Sequence, residues 1–418
     1  MSKFDRIIGY DSIKEELMRI CDMIHNKEFY KKFGAKFPNG ILLCGKPGLG
    51  KTLMAKSFIE ESGLKTFTVR KTKSDQFSEH ITDIFKKAAE NAPSIVFLDD
   101  MDKFANEDYE HCDADEYVAI QAGIDDVNGK EVFVLATVND RYKLPESLVR
   151  PGRFDRVIKV SSPGVEDGTK IIKHYMADKK ISPDVNLDDL SRMICYSSCA
   201  ELETILNEAT ILAAYKRKEN VEMTDFIKIV MKMEHDSSVC FDMERDENAR
   251  RIAIHEAGHL VVCDVLHPKS VGFAALKSNG RKIDGGFILR CERIDNEIDH
   301  AMIAMGGKTA VELYYGNGAE GCGRDLDRAA SMVRGTISEY GKYGIGVVDI
   351  SGNGFDNSQN FLARNEAVVH AELERLTSKV RKILIDNKGF LDKVAEELLE
   401  KGVLLYSDIR RIREELNI

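Results

Sequence analysis

Short, mostly apolar runs alternate with amphipathic stretches along the first 160 residues. The runs lie at Ile41–Cys44, Thr66–Val69, Ile95–Leu98 and Val132–Val138. Apolar segments of this length without strict polar alternation are typical of strands buried on both faces of a parallel sheet. Because helical patterns separate them, the sequence predicts an α/β domain over residues 1–160.

The pattern changes after Pro163 and Gly164, where the strand-like runs stop. Residues 161–232 predict a small helical subdomain, and Ser198-Cys199-Ala200-Glu201 has the spacing of a capping box. Residues 233–247 are polar and acidic and predict a linker. Residues 248–418 predict a second, mostly helical domain, in which Gly285–Leu289 is either a plain core strand or an edge strand that pairs with an extended ligand.

Composition narrows the class of protein. The chain has 418 residues, a length that predicts two to three domains. Its net charge is −10 and it has no basic stripe, which argues against nucleic acid as a partner. Its nine cysteines form no CxxC pair, which indicates free thiols in a reducing compartment. No signal peptide is visible, and no apolar run approaches the ~18 residues of a membrane span.

The segment after the first predicted strand has the pattern GxxxxGK[ST]. It comprises Gly45, Lys46, Pro47, Gly48, Leu49, Gly50, Lys51 and Thr52, and Leu53 follows it. Glycines let backbone N–H groups point at phosphate, and the following helix N-terminus favours negative charge. We expect Lys51 to meet the β- and γ-phosphates of a nucleotide and the Thr52 hydroxyl to bind magnesium.

Two aspartates follow the strand Ile95–Leu98, as the carboxylates of a Walker B segment do. We expect Asp99 to hold magnesium and Asp100 to position or deprotonate the attacking water. Without the phosphate-binding loop, the pair would be a solvated acidic turn.

A second chemical signature lies some two hundred residues later. His255 and His259 are four residues apart and share one helix face, so they can bind one zinc ion. Glu256 is then placed to take a proton from water and to pass one to a leaving amine. Valines at 262 and 265 exclude the metzincin continuation, so the third ligand comes from elsewhere in the chain.

The first domain resembles the AAA+ ATPases. Asn139 corresponds to their sensor-1 position, and Leu148–Arg156 is similar to their second region of homology. The resemblance implies that Arg150 and Arg153 are arginine fingers that reach a neighbouring subunit's ATP.

The chain as a whole resembles the FtsH-type proteases. The similar segments include Met305–Gly316 and Gly323–Ala329. The resemblance implies that Asp325 is the third zinc ligand; Glu312 is the alternative, and Asp327 is expected to face solvent. The similarity to the FtsH-type proteases begins at Phe4–Gly9, and it implies that Ile8 and Gly9 contact the nucleotide.

The resemblance implies a fold and a function. The expected fold is an α/β AAA+ P-loop ATPase module with a helical lid, followed by a mostly α-helical zincin-type metallopeptidase domain. The expected protein is a homo-hexameric, ATP-dependent zinc endopeptidase with Zn²⁺, ATP and Mg²⁺ as cofactors and with proteins as substrates. Alternatives are a peptidase in which nucleotide mainly holds the ring together, and a chaperone-like remodelling ATPase.

Three departures from the family pattern stand out. FtsH proteins usually begin with transmembrane helices, whereas this chain starts at the ATPase module, so we expect a cytoplasmic protein without an integral membrane segment. Asp100 replaces the usual Walker B glutamate and is one methylene shorter. The aromatic pore loop is not recognisable; in Lys71–His80 only Phe77 could grip a substrate, and it could equally pack against the sheet.

Overall fold

The computed structural model describes residues 2–71, 76–105, 114–150, 152–238, 245–279, 282–316, 322–340 and 359–418. The chain forms two compact units, one of Met1–Asp178 with Cys195–Thr204 and the other of Lys179–Ile194 with Ile205–Ile418. Among the described residues, no helix combines the length and the apolar composition that crossing a membrane requires.

A five-stranded parallel sheet forms the centre of the first unit. Its strands are β1 (Gly40–Cys44), β2 (Lys65–Val69), β3 (Ser94–Leu98), β4 (Val132–Val138) and β5 (Arg156–Lys159), in the order β2-β3-β4-β1-β5. The four predicted strands are confirmed within one residue, but the predicted burial on both faces is wrong for β2, which lies at the sheet edge with only its last residue buried. The fifth strand, β5, was not predicted, because a charged residue at each end leaves only two apolar residues in this short edge strand.

Helices of the first unit pack around this sheet. They are α1 (Asp11–His25), α2 (Lys27–Lys32), α3 (Lys51–Ser62), α4 (Phe77–Glu90), α5 (Ala114–Val127) and α6 (Val165–Met176). β1, β3 and β4 are buried along their whole length, as their apolar sequences require. Their carboxyl ends therefore meet at one edge of the sheet, where polar side chains can gather.

The remaining helices belong wholly or mainly to the second unit. They are α7 (Leu187–Met193), α8 (Cys199–Tyr215, which begins in the first unit), α9 (Met223–His235), α10 (Glu247–Leu266), α11 (Glu297–Tyr315), α12 (Gly323–Tyr340), α13 (Gln359–Asp386), α14 (Lys388–Lys401) and α15 (Tyr406–Leu416). The capping box predicted at the start of α8 is confirmed: Ser198 N–H donates to Glu201, and Glu201 N–H donates to the Ser198 hydroxyl.

The second unit also contains a small antiparallel sheet. It is formed by β6 (Val271–Asn279), β7 (Lys282–Arg290) and β8 (Val403–Leu405), in the order β7-β6-β8. The strand predicted at Gly285–Leu289 lies within β7, which is an edge strand of this sheet. β7 thus has the edge position of the edge-strand interpretation, whereas its pairing with an extended ligand stays a prediction; β6 and β8 are additions to the predicted helical pattern.

Candidate functional site

The phosphate-binding loop connects the end of β1 to the start of α3. Gly50 has φ of 82°, a left-handed conformation that L side chains rarely adopt, and it directly precedes the first helical residue. The N-terminal N–H groups of α3 therefore open onto the loop. Gly48 lies against the start of α8 and accepts a hydrogen bond from Ala200 N–H through its carbonyl at 3.1 Å.

Lys51 lies at the centre of this loop and is buried. Its ammonium donates to the carbonyl oxygens of Gly45 and Lys46 at 2.7 and 2.8 Å and to Asn139 Oδ1 at 2.9 Å. Burial lowers the pKa of Lys51, although the nearby Asp100 and Asp102 carboxylates favour its charge. The loop thus holds a cation with neutral oxygen partners, which a phosphate can replace.

Asp99 is the most heavily bonded carboxylate at this sheet edge. Its Oδ1 accepts from the Thr52 hydroxyl at 3.2 Å and from the Thr137 hydroxyl at 3.0 Å. Its Oδ2 accepts from Arg70 Nη2 at 2.8 Å. Thr52 and Asp99 come together as predicted for a magnesium site, whereas Thr137 and Arg70 were not predicted. The sheet topology explains both contacts with Asp99, since Thr137 lies near the end of β4 and Arg70 lies just beyond the end of β2, and both strands neighbour β3.

Asp100 has a left-handed backbone with φ of 54°, which aspartate tolerates better than most residues. Its N–H donates to the Thr137 hydroxyl at 2.9 Å, and its carboxylate accepts from Lys103 at 2.6 Å. Asn139 N–H donates to Asp102 at 3.2 Å. The Asp100 side chain is therefore engaged by a lysine of the same turn.

The two arginines of the second region of homology differ in their surroundings. Arg153 is buried and makes two hydrogen bonds to the Asp125 carboxylate, at 2.9 and 2.7 Å. Arg150 is exposed, and its Nε approaches the Ser147 carbonyl at 3.4 Å. Arg150 is thus available at the surface, whereas Arg153 would have to leave Asp125 to reach another subunit.

Ile8 and Gly9 lie in the loop before α1. The next residue, Tyr10, donates its hydroxyl to the Ser161 carbonyl at 3.0 Å and lies 3.5 Å from Cys199 Sγ. This loop and the phosphate-binding loop therefore both contact the start of α8.

Phe77 begins α4 and is fully buried. Its ring packs edge-on against Phe104 with the centroids 5.5 Å apart. Of the two interpretations of Phe77, packing against the sheet is confirmed. Residues 72–75 of the same segment lie outside the described residues.

The second candidate site lies in the second unit, where α10 and α12 face each other. His255 Nε2 is 3.1 Å from Asp325 Oδ2 and 3.0 Å from His259 Nε2, and His259 Nε2 is 3.4 Å from Asp325 Oδ2. Tetrahedral zinc with bonds of about 2.0–2.1 Å places its ligand atoms about 3.3 Å apart. The separations and the donor set of two imidazoles and one carboxylate therefore fit a zinc ion.

Neighbouring groups orient these side chains. His259 Nδ1 donates to the Ile303 carbonyl at 2.7 Å, which leaves Nε2 as the ligand atom. Burial opposes ionisation of Asp325, but hydrogen bonds from His255 and His259 outweigh it and hold the pKa of Asp325 below its usual range.

Glu256 follows His255 on α10 and is buried beside the histidines. Burial raises its pKa above the ordinary glutamate value, as a general base working near neutral pH requires. A methyl group on Gly286 of β7 would come within 2.5 Å of Glu256 Cγ, so the edge strand lies directly against this carboxylate.

The other candidate carboxylates lie elsewhere. Glu312 forms ion pairs with Lys308 and, at 3.3 Å, with Arg381. Asp327 is exposed, as expected. Among the described residues, His255, His259 and Asp325 are the set close enough together to hold a metal ion, with their ligand atoms within 4.8 Å of one another.

The first unit has the parallel sheet and phosphate-binding loop of an AAA+ ATPase domain, and the second unit has the two-histidine, one-aspartate centre of a metallopeptidase domain. The family of ATPases associated with various cellular activities (AAA) matches residues 41–162, and peptidase family M41 matches residues 242–412. The chain is similar to the FtsH-type AAA+ zinc metalloproteases. The expected fold class is confirmed.

Relatives match along nearly the whole chain. The ATP-dependent zinc metalloprotease FtsH of Leptotrichia buccalis is 29% identical over 98% of this chain and 57% of its own length. The FtsH of Rhodothermus marinus is 30% identical over 98% of this chain and 63% of its own length. The mitochondrial inner membrane i-AAA protease supercomplex subunit YME1 of Saccharomyces cerevisiae is 29% identical over 98% of this chain and 57% of its own length. The chain thus spans somewhat more than half of the length of these relatives.

Proposed function

We propose that this protein is an ATP-dependent zinc endopeptidase that acts on proteins. The observation that carries the proposal is the convergence of His255, His259 and Asp325 around one point, with Glu256 buried beside them. The phosphate-binding loop in the same chain supplies the nucleotide dependence, with Lys51, Thr52 and Asp99 gathered at one edge of the sheet.

The peptidase chemistry rests on positioned side chains. His255, His259 and Asp325 would hold zinc, which would supply Lewis acidity to acidify water and polarise the scissile carbonyl. Glu256 takes the proton of the attacking water and returns it to the leaving amine, which its raised pKa favours. β7 offers unpaired backbone groups of an edge strand to an extended substrate beside Glu256.

The nucleotide site binds ATP with Mg²⁺ in this proposal. Lys51 would exchange its carbonyl partners for phosphate oxygens, and Thr52 and Asp99 would hold magnesium. Asn139 and Asp100 would act at the γ-phosphate, and exposed Arg150 would complete a neighbouring subunit's site in a homo-hexamer. Arg153 would reach a neighbouring subunit's ATP only after leaving Asp125, and Ile8 and Gly9 would contact the nucleotide.

Location is part of the same proposal. Cys21, Cys44 and Cys263 are buried free thiols, which suits a reducing, cytoplasmic compartment.

A second candidate is a peptidase in which nucleotide holds the ring together without driving threading. The pairing of Asp100 with Lys103 and the burial of Phe77 favour it. The Asp100–Lys103 pair concerns ATP hydrolysis, and the burial of Phe77 concerns the binding of a threaded substrate. Neither observation affects the zinc site.

One experiment separates the candidates. Degradation of an unfolded fluorescent protein is measured for wild type and for Glu256→Gln, with zinc plus ATP, with a non-hydrolysable analogue, and without nucleotide. We expect cleavage that requires both Glu256 and hydrolysable ATP. Equal cleavage with the analogue would favour the second candidate. Absence of cleavage despite bound zinc and ATP turnover would overturn the protease and favour a remodelling ATPase.

A further inference from the structure

The cleft beside the candidate zinc ligands is rich in arginine. It has a volume of about 940 Å³ and is lined by residues of α10, β7, α11 and α12. Four arginines line it: Arg251, Arg290, Arg324 and Arg328. We call these four residues the arginine cluster.

The zinc centre does not account for this charge. The two positive charges of a zinc ion are balanced by Asp325 and Glu256, and the two imidazoles are neutral ligands. Of the described lining residues, Asp284 is then the one carboxylate left to face four guanidinium groups. The cleft is positively charged although the whole chain is strongly negative.

Helix periodicity places the arginines next to the reaction centre. Arg251 precedes His255 by one turn of α10, and Arg328 follows Arg324 by one turn of α12. Arg324 and Arg328 flank the ligand Asp325 on that helix. One turn spans about 5.4 Å, so these guanidinium groups can reach side chains close to the scissile bond.

The charges of Arg251, Arg324 and Arg328 are available to a ligand. Arg324 and Arg328 are exposed, and Arg251 stacks over the Tyr315 ring at 4.3 Å. Within the described part of the chain, no carboxylate forms an ion pair with any of these three. Arg290 also lines the cleft and donates to His300 Nδ1 at 2.7 Å.

We propose that the arginine cluster makes the peptidase select polypeptide segments that carry aspartate or glutamate close to the scissile bond. The proposal rests on the peptidase function proposed above. An extended segment beside the edge strand β7 presents alternate side chains to the cleft walls. Carboxylates there form charge-assisted hydrogen bonds with guanidinium groups.

The test uses the full chain with zinc and three quenched fluorescent peptides of one length. The peptides differ only in the residues that flank the scissile bond: Asp and Glu, their amides Asn and Gln, or Lys. We expect kcat/KM to be about tenfold higher for the acidic peptide than for the amide peptide, and lowest for the lysine peptide. The preference should shrink as salt is raised.

Variants assign the preference to the cluster. Arg324→Gln with Arg328→Gln should remove most of the preference while cleavage of the amide peptide continues. Lys379→Gln with Lys382→Gln is the matched control, because it removes two exposed charges of the same unit that do not line the cleft. Equal cleavage of all three peptides by wild type, or a preference unchanged in the Arg324/Arg328 variant, would overturn the proposal.

A binding measurement separates this proposal from the peptidase function itself. Fluorescence anisotropy with Glu256→Gln should show tighter binding of the acidic peptide than of the amide peptide, again by about tenfold at low salt. If no peptide is cleaved by wild type but this difference in binding is found, the peptidase function fails and the selectivity stands. Equal binding would overturn the selectivity.

Discussion

Single residues decide how closely each site follows the expected chemistry. Arg70 is the clearest example, because its guanidinium occupies Asp99 Oδ2, on the carboxylate proposed to hold magnesium. Asp100 is similarly engaged by Lys103. Both contacts involve long cationic side chains that are more than half exposed, so they can exchange for other partners.

Replacing Arg70 by alanine should make magnesium easier to bind. The guanidinium competes with Mg²⁺ for Asp99, and its loss should lower the Mg²⁺ concentration needed for half-maximal binding of a fluorescent ATP analogue by about three- to tenfold. Lys65→Ala is the matched control, because Lys65 lies on β2, the strand that Arg70 follows, but bonds to Asn91. A higher magnesium requirement in Arg70→Ala would show that Arg70 assists nucleotide binding instead.

At the scale of elements, the zinc site depends on how closely two helices approach. Gly258 of α10 lies against Gly306 of α11, and a methyl group on Gly258 would come within 2.4 Å of the Gly306 carbonyl oxygen. A methyl group on Gly307 would come within 2.5 Å of His259 Nε2. The glycines of these two helices therefore bring α11 close to α10 and leave space for the histidine side chains.

Gly258→Ala should destabilise the peptidase unit by about 1–3 kcal/mol, because the added methyl group has no space in the packed core. The expected result is a fall of several degrees in the thermal denaturation midpoint, together with reduced zinc content. Gly335→Ala on α12 is the control, since a methyl group there meets no atom within 4 Å and removes backbone freedom from a helix. A midpoint for Gly258→Ala equal to that of the control would contradict the close-packing argument.

At the scale of the whole molecule, the proposed homo-hexamer would make the proposed activity depend on assembly. Arg150 is exposed and Arg153 is bonded within its own chain, so Arg150 is the one of the two that is free to complete a neighbour's nucleotide site. ATP turnover per subunit should therefore rise with protein concentration as subunits associate.

Arg150→Ala should reduce ATP turnover by about 10³-fold while each subunit still binds ATP, because the lost cation stabilises transition-state charge. Turnover and binding of a fluorescent ATP analogue are measured across a range of protein concentrations. Lys86→Ala, which removes an exposed cation from α4, serves as the control. Unchanged turnover in Arg150→Ala would exclude a role for Arg150 in hydrolysis.

The sequence by itself determined the elements whose signals are local. The strands β1–β4, the phosphate-binding loop and the HExxH spacing of His255 and His259 follow from hydrophobic runs, glycines and helix periodicity, which act over a few residues. Only the tertiary structure decided which distant groups meet. Asp325 reaches the histidines across 70 residues, Arg70 reaches Asp99 from a neighbouring strand, and Arg251 and Arg328 line one cleft from two helices. Such contacts depend on packing between elements, which no local pattern encodes.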